Sequence, residues 1–323
     1  MKNIILSADL GQKYTYDKYN GKFLGKSDYD QVIRVQENTA IYKPNMRVDG
    51  KHEPLAYIVT NAYDDNNEIR NTLASIEDSS RMRANCSGPI DPSEMKAKGL
   101  IEGVDYKLRT PNSYLTKKKN GEWGMIAYAN EINSVMIGYK RGRFTGEIGA
   151  SGWCNDNPEK FKTLSKISYW NEKAFATADP ETFGKQKGFA ETFIEKRYRV
   201  GGGSFTTLSA NRYHSGQSAR MSAHVDSGDT EMGLTTMCVF RSGEYDGAFL
   251  TFPRYGVAID APDNSVVIAD SLQIHGVTPI TGKGERFSCV AYCDNRLATL
   301  GSRARTPKPI GKYAKPNTLE EFF

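Results

Sequence analysis

Two histidines and one aspartate have the spacing of a metal site. In residues 222–226, a β-strand would place His224 and Asp226 on one face, because side chains alternate with a period of two. A third candidate, His275, follows the apolar run at residues 266–269. Two imidazoles and one carboxylate leave three positions of a metal ion open, an arrangement that suits Fe(II) and an oxidisable co-substrate.

The His-x-Asp pair alone admits a second interpretation. A turn capped by Asp226 is also consistent with the sequence, since Ser-Gly-Asp at residues 227–229 is typical turn chemistry. Arg286 and Ser288 favour the metal site, because on one strand they share a face. A guanidinium and a hydroxyl placed there could hold the far carboxylate of 2-oxoglutarate. Taken by itself, Arg286 would be interpreted as a surface arginine.

The elements that carry these residues are mainly short strands. We predict strands over residues 205–209, 234–240, 248–252, 256–259, 265–269 and 287–292, separated by Gly, Asp or Pro turns. Such a series is typical of a β-sandwich or barrel. Helices are predicted over residues 67–78 and from Asp179 to about residue 199, with Asp179 as N-cap and Pro180 at the first helical position.

Four segments resemble Fe(II)/2-oxoglutarate-dependent dioxygenases of the TET/JBP group, which are DNA pyrimidine methyl oxygenases. They are FTTLSANR at 205–212, HVD at 224–226, GAFLTFP at 247–253 and IHG at 274–276. The resemblance covers about the last 120 residues before a basic tail. Asn-Ser at residues 264–265 departs from the usual Gly-Asp turn, but Asn tolerates left-handed backbone, so the turn can form.

Carried over by position, the resemblance implies roles for six residues. The implied iron ligands, which are also the catalytic residues, are His224, Asp226 and His275. Arg286 is the implied anchor of 2-oxoglutarate, with Ser288 beside it and Asn211 as a further contact. The other histidines, His52 and His214, are expected to be structural.

The resemblance also implies a fold. We expect an α+β, mainly β protein with a double-stranded β-helix (jelly-roll or cupin-like) core and N-terminal and flanking helices. The expected core covers residues 122–300. Residues 1–121 are expected to form a helical or irregular segment that packs on the barrel, and residues 301–323 a basic C-terminal tail.

The implied activity is hydroxylation of the 5-methyl group of thymine or 5-methylcytosine in DNA, with Fe(II), 2-oxoglutarate and dioxygen. DNA is the expected partner, and no obligate protein partner is inferred. Two alternatives stay open: the same chemistry on a protein side chain, free nucleobase or small metabolite, and a non-catalytic DNA-binding protein on an oxygenase fold. The net charge of +5 and basic segments at 81–83, 117–119 and 140–143 are compatible with DNA without requiring it.

The composition argues against disulfide-rich, membrane-spanning and secreted classes of protein. The chain has 323 residues, and its five cysteines are widely spread, which predicts buried free thiols in a reducing compartment. No apolar run approaches the roughly 20 residues of a membrane span, and mean hydropathy is −0.57. The first residues lack a secretory apolar region. We therefore expect a soluble, intracellular protein of the host cytoplasm or nucleus, and a phage-encoded origin stays open.

Overall fold

The computed structural model describes most of the chain. The described residues are 1–11, 19–20, 22–46, 49–64, 67–78, 83–85, 106–110, 113–117, 123–128, 132–142, 146–214, 221–226, 228–231 and 233–298. The predicted tail and Cys86 lie outside them, as do four residues of the basic segments, namely Arg81, Lys118, Lys119 and Arg143.

Four α-helices and seventeen strands are present in the described part of the chain. The helices are α1 (Asn67–Ala74), α2 (Gly152–Asp156), α3 (Pro158–Ala178) and α4 (Pro180–Phe193). The strands up to residue 150 are β1 (Lys2–Ile5), β2 (Gln31–Arg34), β3 (Thr39–Met46), β4 (His52–Thr60), β5 (Arg83–Asn85), β6 (Tyr106–Thr110), β7 (Ser113–Lys117), β8 (Trp123–Tyr128), β9 (Ile132–Arg141) and β10 (Ile148–Ala150). The later strands are β11 (Thr207–His214), β12 (Thr235–Gly247), β13 (Leu250–Phe252), β14 (Val257–Asp260), β15 (Ser265–Ala269), β16 (Gly276–Val277) and β17 (Ile280–Tyr292).

Two of the three sheets enclose a barrel-like core. The main sheet has the order β1-β3-β4-β15-β12-β17-β11-β9-β10, with β5 also paired to β9, and the minor sheet has the order β16-β13-β14-β2. Val239 and Val267 of the main sheet pack with Phe252 and Val257 of the minor sheet in one apolar cluster. This is the predicted jelly-roll core, and the predicted mainly β fold is confirmed.

Helix α3 covers the opposite face of the main sheet. Leu164, Ile167 and Phe175 of α3 pack with Cys238 and Cys289 of the central strands. Because side chains alternate along a strand, the neighbours of these cysteines in β12 and β17 point into the barrel. The central strands thus carry a helix-facing apolar row and a barrel-facing row, and the second row contains the predicted polar residues.

Helix α4 begins where the sequence predicts and ends earlier. The Asp179 carboxylate accepts a hydrogen bond of 3.0 Å from the Thr182 N–H, and Pro180 occupies the first turn. The predicted end near residue 199 is wrong, because Ile194 leaves the helix with extended backbone (φ −124°, ψ 121°). Its side chain is buried beside Cys293 and Leu297, so packing against the barrel ends the helix.

Part of the N-terminal region belongs to the main sheet itself. β4 pairs with β15, with Ile58 opposite Val267, and β3 pairs with β4. The sequence predicts helical or irregular structure here, because Gly, Asn and Asp punctuate this region. The structure instead has continuous strands that run through Pro44 and Pro54. The domain division at residue 121 stays a prediction.

Two further expectations can be compared with the described residues. Cys154, Cys238, Cys289 and Cys293 are buried free thiols, as predicted. Among the described residues, no helix combines the length and apolar character that a bilayer crossing needs.

Candidate metal centre and co-substrate pocket

The two histidines of the predicted triad face each other across a single antiparallel bridge. The His224 N–H donates to the His275 carbonyl at 2.8 Å, and the His275 N–H donates back at 3.0 Å. His275 directly precedes β16 of the minor sheet. Ala223 and Val225 pack against Leu24, so His224 and Asp226 take the opposite face, as the alternation predicts.

Backbone carbonyls orient both imidazoles. Nδ1 of His224 lies 2.8 Å from the Ser222 carbonyl, and Nδ1 of His275 lies 2.9 Å from the Gln273 carbonyl. A carbonyl only accepts, so Nδ1 carries the proton in each ring and the Nε2 lone pair stays available to a metal. Burial lowers the pKa of His275, and the neighbouring His224 lowers it further, which favours the neutral form that binds metals.

The Asp226 carboxylate completes the cluster. Its Oδ1 lies 3.5 Å from His224 Nε2, and its Oδ2 lies 3.7 Å from His275 Nε2. One ligand atom from each of the three residues lies within 4.8 Å of the others. Two neutral nitrogens and one carboxylate on one side of a point fit a ferrous ion with open positions.

A buried aspartate holds the turn that follows Asp226. The Asp229 carboxylate accepts hydrogen bonds from the Ser271 hydroxyl at 2.8 Å and from the Thr235 hydroxyl. Burial, together with the charge of Asp226, raises the pKa of Asp229 to about 8. The Asp226 N–H donates to the Ser271 carbonyl at 3.0 Å, so Ser271 is bonded to both aspartates. Sequence reasoning identified Asp229 only as a turn residue.

The second predicted group lines the barrel side of the central strands. Asn211 of β11 lies opposite Ser288 of β17, and Tyr213 lies opposite Arg286. Asn211, Ser288 and Arg286 are all buried, and Arg286 is 3% exposed. Arg286 Nη1 donates to the Ala248 carbonyl, and Nη2 lies 3.4 Å from the Met237 sulfur.

This pocket contains polar atoms that are buried without partners. Among the described residues, Arg286 Nε, Ser288 Oγ and Asn211 Oδ1 make no hydrogen bond, and Arg286 has no acidic partner. An unsatisfied buried polar group costs about 1–3 kcal/mol, and an unpaired charge costs more. A carboxylate in the pocket would satisfy the guanidinium and the hydroxyl together, so the donor set fits 2-oxoglutarate.

Tyr245 is a pocket residue that sequence reasoning missed. Its hydroxyl is buried and has no hydrogen-bond partner in the described part of the chain. A Cβ at Gly284 would lie 2.7 Å from Tyr245 Cδ1, so the lack of a side chain at Gly284 leaves space for the Tyr245 ring. Gly284 is two residues before Arg286 on β17. Burial raises the pKa of Tyr245, which keeps its hydroxyl a donor. The glycines at 282 and 284 were the available signal, since glycine inside a strand marks a close approach.

Comparison with known proteins agrees with this geometry. Residues 156–295 match the Tet_JBP family model, described as the oxygenase domain of the 2OGFeDO superfamily. This part of the chain is similar to the Tet/JBP oxygenase domain. All six predicted site residues lie within the matched range, and the matched superfamily is one whose name implies Fe(II) and 2-oxoglutarate.

Two trypanosomal proteins are similar in sequence to this chain. The thymine dioxygenase JBP1 of Trypanosoma brucei brucei is 31% identical over 99 residues, which cover 29% of this chain and 11% of that protein. The bifunctional helicase and thymine dioxygenase JBP2 of the same organism is 25% identical over 206 residues, covering 61% of this chain and 17% of that protein. The chain thus matches a small part of each relative's length.

A solved structure shares the fold. NgTET1 in complex with 5mC DNA has a TM-score of 0.50 with this chain at 10% identity, and the match covers 82% of each chain.

The turn that departs from the family pattern forms as predicted. Asn264 has left-handed backbone (φ 55°), and its side-chain nitrogen donates to the Tyr63 carbonyl at 3.1 Å. His52 lies on β4, where Nδ1 is 3.2 Å from the Lys43 carbonyl, and it is not part of the metal cluster. His214 ends β11.

Proposed function

We propose that this chain is an Fe(II)/2-oxoglutarate-dependent dioxygenase that hydroxylates the 5-methyl group of a pyrimidine in DNA. The proposal is carried by two groups of predicted residues in one fold, a three-residue ligand cluster and a buried arginine on the barrel side of β17. His224, Asp226 and His275 bring ligand atoms within 4.8 Å of one another, and the buried Arg286 has no hydrogen-bond partner for Nε among the described residues. Within the superfamily matched by the chain, a metal and a dicarboxylate co-substrate would occupy these places.

Different residues would bind the metal and the co-substrate. His224, Asp226 and His275 would hold the metal on one side and leave the other side for co-substrate and oxygen. Arg286 would pair with the far carboxylate of 2-oxoglutarate, with hydroxyl groups of Ser288 and Tyr245 completing its hydrogen bonds. When bound, iron and 2-oxoglutarate supply the oxidising chemistry, and the protein supplies orientation and exclusion of side reactions.

The apolar barrel core limits access of water to this region. Met237 and Val239 on β12 lie on the same face as the pocket residues, and Val290 packs against them from β17. A dicarboxylate bound beside them would have its negative charge paired with Arg286 and little solvated by water. The ion pair between Arg286 and the carboxylate is stronger in such an environment than in water.

The nature of the similar proteins supports DNA as the substrate. Two relatives are thymine dioxygenases, and the solved structure with the same fold was determined with 5mC DNA. Chemistry on a base methyl requires the base to leave the stack, and cations along the phosphate path aid binding. The net charge of +5 is compatible with such a partner.

Nucleoside mass analysis tests the proposal. The protein is incubated with Fe(II), 2-oxoglutarate and a panel of methylated and unmethylated DNAs, which are then digested to nucleosides. We expect thymidine or 5-methyldeoxycytidine to gain the mass of one oxygen, with release of succinate. Asp226→Ala protein is the control for iron chemistry that does not depend on the site.

The other outcomes distinguish the alternatives. Iron-dependent succinate release without any change in nucleosides would support a hydroxylase of another substrate. DNA binding without succinate release under all conditions would support a non-catalytic protein on an oxygenase fold. Either result would overturn the proposed DNA methyl oxidation.

A further inference from the structure

A buried lysine of the N-terminal region is connected to the loop that carries His275. Lys43 lies on β3 and is 3% exposed. Its Nζ donates to Asp270 Oδ2 at 2.7 Å and to Glu53 Oε1 at 2.9 Å. Asp270 is the first residue after β15, so the ion pair joins the N-terminal region to the segment that leads to His275.

Asp270 organises this segment through its side chain and its backbone. Its Oδ1 accepts from the Leu272 N–H at 3.1 Å, and its Oδ2 accepts from the Gln273 side-chain amide at 3.0 Å. Its own N–H donates to the Leu55 carbonyl of β4 at 3.0 Å, and its carbonyl accepts from the Gln273 N–H at 3.2 Å. The loop is thereby folded around one carboxylate.

Gln273 connects this carboxylate to the imidazole. The Gln273 carbonyl is the acceptor for His275 Nδ1, at 2.9 Å. Its side-chain oxygen accepts from the buried Tyr255 hydroxyl at 3.1 Å, while its side-chain nitrogen binds Asp270. Both polar atoms of the Gln273 side chain are therefore hydrogen-bonded, which holds in place the residue whose carbonyl sets the tautomer and orientation of His275.

We infer that Lys43 and Asp270 are positioning residues for His275 as a metal ligand. The inference rests on the proposed metal site. Lys43 holds the Asp270 carboxylate, Asp270 holds Gln273, and the Gln273 carbonyl directs Nε2 of His275 toward Asp226. Partners beyond the direct ligands orient metal-binding histidines, and their loss typically lowers metal affinity by about 10- to 100-fold.

Binding of Co(II) alone, measured by titration of its visible absorption, tests the inference without turnover. We expect Asp270→Asn and Lys43→Met to weaken Co(II) binding by about 10- to 100-fold and to change the absorption spectrum. Two variants serve as controls. Glu53→Gln removes the other, half-exposed partner of Lys43. Asp263→Asn removes the carboxylate before β15, which binds the Arg241 N–H at 2.7 Å at the opposite end of that strand.

The controls should bind Co(II) within about twofold of the unchanged protein, since exposed ion pairs contribute little. Melting temperatures are measured for all variants. Unchanged Co(II) binding and spectrum in Asp270→Asn protein would overturn the positioning role and leave the metal site intact. A loss that follows melting temperature across all four variants, controls included, would also overturn it.

A His275→Ala variant separates this inference from the proposed function. If His275→Ala protein binds Co(II) as the unchanged protein does, the metal-site assignment fails and the inference fails with it. If His275→Ala protein loses binding while Asp270→Asn protein keeps it, only the positioning role fails. Should Lys43→Met protein not fold, the Asp270→Asn result decides the question.

Discussion

Replacing Arg286 with lysine tests the co-substrate pocket most directly. The buried guanidinium has two described hydrogen bonds, from Nη1 to the Ala248 carbonyl and from Nη2 to the Met237 sulfur, while Nε has none in the described residues. Its Cζ also lies 5.7 Å from the centre of the Tyr213 ring. A lysine ammonium keeps the charge but has no fork, and one of its three donors would be needed by the Ala248 carbonyl. At least one charge-assisted hydrogen bond to the bound carboxylate is therefore lost.

The expected magnitude follows from that single bond. A hydrogen bond to a charged group contributes about 1.5–3 kcal/mol, and about 1.4 kcal/mol corresponds to a tenfold change in affinity. Arg286→Lys should therefore raise the Kd for 2-oxoglutarate by about 10- to 150-fold. The assay is anaerobic calorimetric titration of 2-oxoglutarate into Mn(II)-loaded protein, with the succinate-based KM as a second measurement.

Arg212→Lys is the matched control for this experiment. Arg212 lies on the adjacent strand β11 but stacks on Phe287 and pairs with Glu285 at 2.6 Å, on the face of the sheet away from the pocket. It should leave 2-oxoglutarate affinity within about twofold, because partly exposed pairs contribute little. Equal affinities of the Arg286→Lys and unchanged proteins would refute the assignment of the pocket.

Three further predictions concern the same centre. Asp226→Ala should abolish iron-dependent succinate release with little change in melting temperature, because the carboxylate is one-third exposed and its described side-chain contacts are the two imidazoles. Persistent succinate release would exclude Asp226 as a metal ligand. Tyr245→Phe should weaken 2-oxoglutarate binding several-fold in the same titration, while the free energy of unfolding stays equal or rises by about 1 kcal/mol because a buried hydroxyl without a described partner is removed. A loss of stability with unchanged binding would contradict the role of Tyr245 in the pocket. Gly276→Ala should lower the free energy of unfolding by about 1–3 kcal/mol and also lower Co(II) affinity, because a Cβ there would lie 2.9 Å from the Met221 carbonyl oxygen and 3.1 Å from the Ala223 nitrogen. Gly25→Ala, whose Cβ would meet open space, is the control in denaturant unfolding, and equal stabilities of the two variants would contradict the prediction.

Local periodicity predicted much of the catalytic half of the fold. The predicted strand at residues 265–269 coincides with β15, and the other five predicted strands overlap observed ones. Alternation within one strand also gave the common face of Arg286 and Ser288, since that relation depends on only three consecutive residues. Asn211 reaches the same pocket through the register of β11 on β17, which a single strand's pattern does not determine.

Longer-range relations were not visible in the sequence. Lys43 and Asp270 meet only because β3, β4 and β15 are neighbours in the main sheet. Helix α3 was missed because its buried face includes Asn171, a polar residue whose amide donates to the Thr236 hydroxyl at 2.8 Å. A hydrogen-bonded polar residue in an apolar stripe weakens the helical pattern that sequence analysis relies on.

The two halves of the site are held in physically different ways, which predicts how each would fail. Arg286 and Ser288 belong to β17, which is hydrogen-bonded on both sides, so substitutions of the side chains themselves should change co-substrate affinity. His275 lies between β15 and β16, and its orientation depends on loop contacts to Asp270 and Gln273. The free energy of local opening is lower for loops than for central strands. A destabilising change in the loop should therefore lower metal affinity before it lowers 2-oxoglutarate affinity.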